Sequence, residues 1–275
     1  MAVVLFAAAL HAGWNALVRA AAQKFHDTVL IVCGAGFWTA TFLPLLPSPA
    51  VASWPYLAAS VVIHVGYFSL VAFSYRGGEL SFVYPIMRGT APVLSAVAAA
   101  LLLSESPTPG GWAGVSLISC GVLILAGESL RAGTFRSVPA MFALANAGVI
   151  VIYTLVDGQG VRLSGNAFSY TGWMFLLTAL LLFAIAAAGR AGAALGQLRD
   201  GWRRGLIGGA CTLASYALAL WAMTRAPIAL VAALRETSVV FGAIIAASFL
   251  KEPLTRLRCA SIIAVSAGAA AIKLY

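Results

Sequence analysis

Residues 88–121 read RGTAPVLSAVAAALLLSESPTPGGWAGVSLISCG, and residues 235–268 read RETSVVFGAIIAASFLKEPLTRLRCASIIAVSAG. Laid over each other at an offset of 147 without a gap, they agree at 12 of 34 positions, and four of those are Ala pairs that an Ala-rich chain supplies by chance. The weight falls on the polar matches: Arg88 with Arg235, Thr90 with Thr237, Glu105 with Glu252, Thr108 with Thr255 and Ser119 with Ser266. A unit repeated once in a hydrophobic chain is the sequence mark of a duplicated membrane carrier, whose binding site lies between the copies near the bilayer midplane.

Working outward from the repeat, the chain is 62% hydrophobic and 9% charged, with a mean hydropathy of +0.97. That leaves too little polar surface to cover a soluble core, so the chain belongs in a bilayer. An apolar stretch of about 20 residues crosses the hydrocarbon layer. Breaks at Pro, Gly and charge clusters then give ten spans, at 2–20, 28–46, 54–75, 79–102, 109–127, 138–157, 167–188, 203–223, 226–250 and 256–272. The fold expected is all-α: ten transmembrane helices arranged as two five-helix repeats, residues 1–130 and 131–275, around a central cavity. Five spans is an odd number, so the second copy enters the membrane in the opposite sense and the repeats are inverted.

The formal charge of +9 does not mark a nucleic-acid protein, because the basic residues sit in short junctions rather than in a docking surface. Twelve of them follow odd-numbered spans (Arg19, Lys24, Arg76, Arg131, Arg136, Arg190, Arg199, Arg203, Arg204, Lys251, Arg256 and Arg258), and three follow even ones (Arg162, Arg225 and Lys273). The positive-inside rule then predicts cytoplasmic odd-to-even loops and both termini outside, in a bacterial-type inner membrane. The first apolar stretch lacks a basic leader and carries His11, Trp14 and Asn15, so it reads as a retained helix. Four separated cysteines make neither a CxxC pair nor a zinc set.

Together with His11-Ala12-Gly13-Trp14-Asn15 in the first span, the stretches Leu103-Ser104-Glu105-Ser106-Pro107-Thr108 and Leu250-Lys251-Glu252-Pro253-Leu254-Thr255 resemble the drug/metabolite transporter superfamily, specifically its EamA-type ten-helix members. The resemblance spans the whole chain as two copies, and the first copy departs from the second by delaying its proline one position. It implies alternating-access movement of small metabolites, often amino-acid export. Lipid or lipid-linked sugar flippases and multidrug exporters share the fold and are the alternatives. An intramembrane enzyme is disfavoured, because HExxH, GxSxG and paired intramembrane aspartates are all missing. No phosphate loop is present, and no cofactor or metal is expected. The partners expected are a small-molecule substrate and the lipid bilayer. With both repeats in one chain, a monomer is expected.

Arg88 and Arg235 carry the strongest site expectation. An intramembrane Arg costs roughly 2.5–3.5 kcal/mol on insertion scales, so it faces a partner or a watery cavity. Either could receive a substrate carboxylate, and a fixed structural ion pair weighs equally against that reading. Glu236 points about 100° away from its neighbour Arg235, so its partner is Arg88 or a proton, and it is assigned to gating or coupling. Pro85 and Pro92 leave carbonyls of the fourth span without N–H partners, which predicts a helix that bends more than its twin, the ninth span. His11, Trp14 and Asn15 share one face, His64 and Tyr67 a second, and Tyr84 and Arg88 a third. With Asn146 and Tyr153 in the sixth span and Tyr216 in the eighth, these faces form an aromatic-walled binding cavity if they converge. Asp157, at the end of the sixth span, is expected at the rim, and Glu105 is expected to cap the helix that follows it, with Thr108 and Thr255 as N-caps.

Overall fold

The computed structural model describes residues 1–19, 24–77, 80–127, 137–188, 191–249 and 254–274. Among them there are helices and no strand. In the first half lie α1 (Ala2–Arg19), α2 (Lys24–Phe42), α3 (Trp54–Gly77), α4 (Leu80–Leu102) and α5 (Pro109–Ile124). In the second lie α6 (Ser137–Leu163), α7 (Ala167–Ala187), α8 (Ala191–Met223), α9 (Ile228–Arg235), α10 (Ser238–Phe249) and α11 (Arg256–Leu274). Seven described stretches are long and apolar enough to cross a bilayer, and Ala2–Val18 and Pro109–Ile124 are shorter apolar helices. The outside of the bundle is studded with apolar side chains, among them Phe6, Leu101, Met141, Ile207 and Ile263, while Arg88, Asp157, Arg235 and Glu236 are buried. That inside-out distribution is what a hydrocarbon solvent requires.

Helices pack across the 147-residue offset. α3 lies against α6 and α8 against α1; α4 lies against α6 as α9 and α10 lie against α1; α5 lies against α11. Lipid offers no hydrophobic drive between helices, so these seams depend on small residues and close backbones. At the α5–α11 seam, a Cβ on Gly114 would stand 2.8 Å from the Gly268 carbonyl oxygen, and one on Gly268 would stand 2.7 Å from that of Gly114. The α2–α8 seam is as tight, with Gly34 against Gly205 and Gly209 backbone to backbone.

The fourth span and its twin differ in helical continuity. α4 is one continuous helix with Pro85 and Pro92 inside it, whereas its twin is interrupted between α9 and α10. Across the interruption the backbone switches to tighter three-residue bonds, Glu236 N–H to Ala233 O at 3.0 Å and Thr237 N–H to Leu234 O at 3.1 Å. Thr237 Oγ1 also donates to the Leu234 carbonyl at 2.7 Å, competing with the helical ladder. The charges suit the break. Arg235 ends α9, where the helix dipole favours a cation, and Glu236 precedes α10, where it favours an anion.

The α4–α5 turn closes on Ser104, which has φ 55°, and the Glu105 N–H reaches back to Ala99 O at 3.2 Å. This closes off a helix ended by a left-handed residue. Thr108 caps α5 by accepting from Gly111 N at 3.1 Å, and Thr255 accepts from Arg258 N at 3.2 Å, as the repeat predicts. Glu105 does not cap α5. One carboxylate oxygen accepts from Ile228 N, at the start of α9, at 3.2 Å, and the other is paired with Arg162. Arg162 in turn donates through Nε to Met223 O at 2.8 Å and through Nη2 to Ala226 O at 3.1 Å. One ion pair therefore joins the α4–α5 turn, the end of α6 and the α8–α9 link. Glu252 lies outside the described residues.

Candidate functional site

A cavity of about 50 Å³ lies in the middle of the bundle, between side chains from eight helices, α1 to α4 and α6 to α9. Of the residues expected to form a site, it brings together His11 and Trp14 from α1, His64 and Tyr67 from α3, Arg88 from α4 and Tyr153 from α6. Tyr216 from α8 and Arg235 from α9 complete that set. Phe175, Thr212 and the α2 residues Thr28, Ile31 and Val32 also line it. Sequence reasoning missed these because nothing in α2 or α7 marks which turn faces inward: a chain apolar all round has no polar stripe to read.

Two expected residues, Asn15 and Asn146, are elsewhere. Asn15 donates through Nδ2 to the His11 carbonyl of its own helix at 2.8 Å and does not line the cavity. Asn146 is fully buried against Met87, its Nδ2 on the thioether sulfur, also away from the cavity. The side chain of Tyr84 lies outside the described residues. Pro85 and Pro92 are buried in α4 rather than cavity-lining.

The rings make one continuous wall. His64 and Tyr153 have centroids 4.8 Å apart, Tyr67 and Tyr153 are 5.7 Å apart edge to face, and His64 and Tyr216 are 5.8 Å apart. Phe175 stands edge-on to Tyr216 at 6.0 Å. The two histidines present opposite chemistry. His11 Nδ1 accepts from the Trp14 indole N–H at 3.2 Å, so in the neutral ring Nε2 carries the hydrogen. His64 Nδ1 faces the Ser60 carbonyl at 2.9 Å, and a carbonyl only accepts, so here Nδ1 carries it and Nε2 is an acceptor.

The charges divide into a closed pair and an open one. Arg88 Nη2 meets Glu236 Oε1 at 2.8 Å, with both side chains almost wholly buried. Arg235, 6% exposed, lies over the Tyr216 ring at 5.0 Å, and its Nε has no hydrogen-bond partner. Among the described residues no carboxylate pairs with it.

Asp157 corrects the expectation of a rim charge. It has no exposed surface; its Oδ1 accepts from Tyr170 Oη at 3.1 Å and its Oδ2 from Tyr216 Oη. The helix that carries it runs on to Leu163 rather than ending near Gly158. Gly158 and Gly160, which continue this helix, are packing sites: a Cβ at the first would meet Ile228 and at the second Tyr56 and Tyr170.

No cluster of His, Cys, Asp or Glu able to hold a metal occurs among the described residues. The sequence profile of the EamA-like transporter family matches residues 138–274. The chain is similar to a solved crystal structure of a protein at 19% identity and a TM-score of 0.74, covering 99% of this chain and 94% of that one. At that identity the likeness speaks for the fold. No curated protein matches the chain.

Proposed function

Because the chain belongs to the EamA-like transporter family, whose members carry small molecules across membranes, we propose that it is a secondary transporter of amino acids, exporting aromatic or other amphipathic ones across the inner membrane by alternating access. The observation that carries this reading is Arg235: a buried guanidinium on the cavity wall with no paired carboxylate among the described residues, set among aromatic rings. A guanidinium presents a planar fork that matches a carboxylate, and the rings of Tyr153, Tyr216 and Phe175 suit an apolar or aromatic side chain. His64 Nε2 as acceptor and His11 Nε2–H as donor are further points for a substrate's polar groups.

The cavity draws its lining from eight helices and is about a third of the size that accommodates a benzene ring. A space of that size favours a metabolite over a lipid, and it also means that the helices separate when substrate enters. We read residues 1–130 and 131–275 as the two inverted halves that make this movement, with both termini outside and one chain sufficient for transport. The cross-offset packing and the distribution of basic residues support that reading.

The test is uptake of labelled amino acids into proteoliposomes. Wild type is expected to accumulate at least one of them above empty vesicles. Arg235→Lys keeps the charge but loses the fork, and it is expected to raise KM about tenfold, the equivalent of one good charged hydrogen bond. If every amino acid tried moves no faster than through empty vesicles, the amino-acid reading is lost.

A further inference from the structure

Four charged side chains are buried among the described residues, Arg88, Arg235, Glu236 and Asp157, two of each sign. Arg88 and Glu236 neutralise each other directly. Asp157 has no basic partner among the described residues and is held by two phenol hydroxyls. Tyr216 connects the remaining two charges: its ring lies under the Arg235 guanidinium and its hydroxyl donates to Asp157. Tyr216 also lines the cavity, whereas Asp157 sits behind it.

We infer that Asp157 is a proton-binding site whose occupancy is linked to that of a substrate carboxylate at Arg235. The linkage rests on the reading of Arg235 given above. With the cavity empty, the negative Asp157 and the positive Arg235 compensate each other through Tyr216. A carboxylate arriving at Arg235 takes over that compensation and leaves Asp157 as an unbalanced anion in hydrocarbon, where isolated charge is costly. A proton delivered from bulk solvent as hydronium then goes onto one Asp157 oxygen, neutral water is released, and the hydroxyl bonded to that oxygen turns to accept instead of donating. No other covalent bond changes.

The groups facing Asp157 do not offer an equivalent route. On its own helix Tyr153 is neutral and four residues away; on α3 stand Tyr56 and His64; on α4 Arg88 is committed to Glu236; α7, α8 and α9 supply Tyr170, Tyr216 and Arg235. At the end of α6 Arg162 is closed on Glu105. By reciprocity, a proton on Asp157 tightens substrate binding as much as substrate tightens proton binding. Proton and substrate then cross together, in whichever direction their summed gradients point.

Infrared difference spectroscopy of the purified full-length protein, stepped from alkaline to acidic buffer, tests the site without knowledge of the substrate. A buried carboxylic-acid carbonyl band is expected in wild type and absent in Asp157→Asn. In Tyr170→Phe it should move to higher frequency, since one hydrogen bond to that carboxyl is gone. In proteoliposomes an inward proton gradient is expected to accelerate wild-type uptake of labelled phenylalanine about fivefold or more, and the ratio of uptake with and without the gradient should fall to one in Asp157→Asn. A ratio unchanged by the substitution overturns the linkage. A spectrum unchanged by Asp157→Asn overturns the proton site, whatever is transported. A band that is lost in the variant while phenylalanine is not carried supports the proton site and counts only against the amino-acid reading.

Discussion

Arg88 and Glu236 show at the scale of single residues what burial does to charge. Breaking such a pair leaves an uncompensated ion, which costs about 3–5 kcal/mol, whereas replacing both partners by apolar residues is far milder. Arg88→Met alone is therefore expected to lower thermal stability in detergent strongly, and Arg88→Met with Glu236→Leu to recover most of the loss. Equal destabilisation by the single and double variants would show that the pair is not what holds the two residues. This partnership was legible in the sequence only as one of two alternatives: neighbours on a helix diverge, so Glu236 had to look beyond Arg235, to Arg88 or to a proton. The burial of Asp157 was not legible. Charge counting tells which side of the membrane a junction faces, but the depth of a residue depends on where its helix ends. Six further residues of α6 place Asp157 about 9 Å from that end, and the glycines that continue the helix are indistinguishable in sequence from glycines that stop one.

Elements show a different lesson, in which local rules give way to packing. Proline in α4 predicts a bend, yet the assigned break falls in the proline-free twin, where adjacent buried charges and the Thr237 hydroxyl loosen the ladder. A sequence reports the missing N–H of a proline plainly; it reports the combined demand of two buried charges only once their partners are known. Ser104 is the clearest local strain, a non-glycine residue with φ 55°. A left-handed backbone costs a Cβ-bearing residue about 1–2 kcal/mol, so Ser104→Gly is expected to raise the unfolding temperature slightly, by the equivalent of up to about 1 kcal/mol after the added freedom of the unfolded chain is counted. A lower unfolding temperature would mean that the serine is held there by something other than the turn.

For the whole molecule the repeat offset and the composition were enough to give an all-helical membrane bundle, because both follow from a solvent that permits few solutions. The Glu105–Arg162 connection was hidden, since its members are 57 residues apart and neither stands out among polar residues at helix ends. It ties the two halves of the chain together at one face, and the position corresponding to Arg162 in the first copy is Asn15, which forms no such pair. Glu105→Ala is expected to cost about 1–2 kcal/mol, reduced by the partial exposure of both side chains, and to change the rate of transport more than the affinity. Thermal unfolding and a KM-against-kcat comparison in proteoliposomes check the two parts. Topology has its own test: a reporter active only outside the cytoplasm is expected to work when fused to either end, and inactivity at either end would reverse or break the proposed orientation.

The seam between α2 and α8 bears on fidelity. Where Gly34 meets Gly205 and Gly209, main chain touches main chain, and no flexible side chain is interposed to yield by degrees. A contact of that kind is either made or parted, since close-packed interfaces are bistable rather than elastic. Few half-open postures then exist through which water or stray ions could slip, and the carrier is expected to show little uncoupled leak even while its helices are in motion.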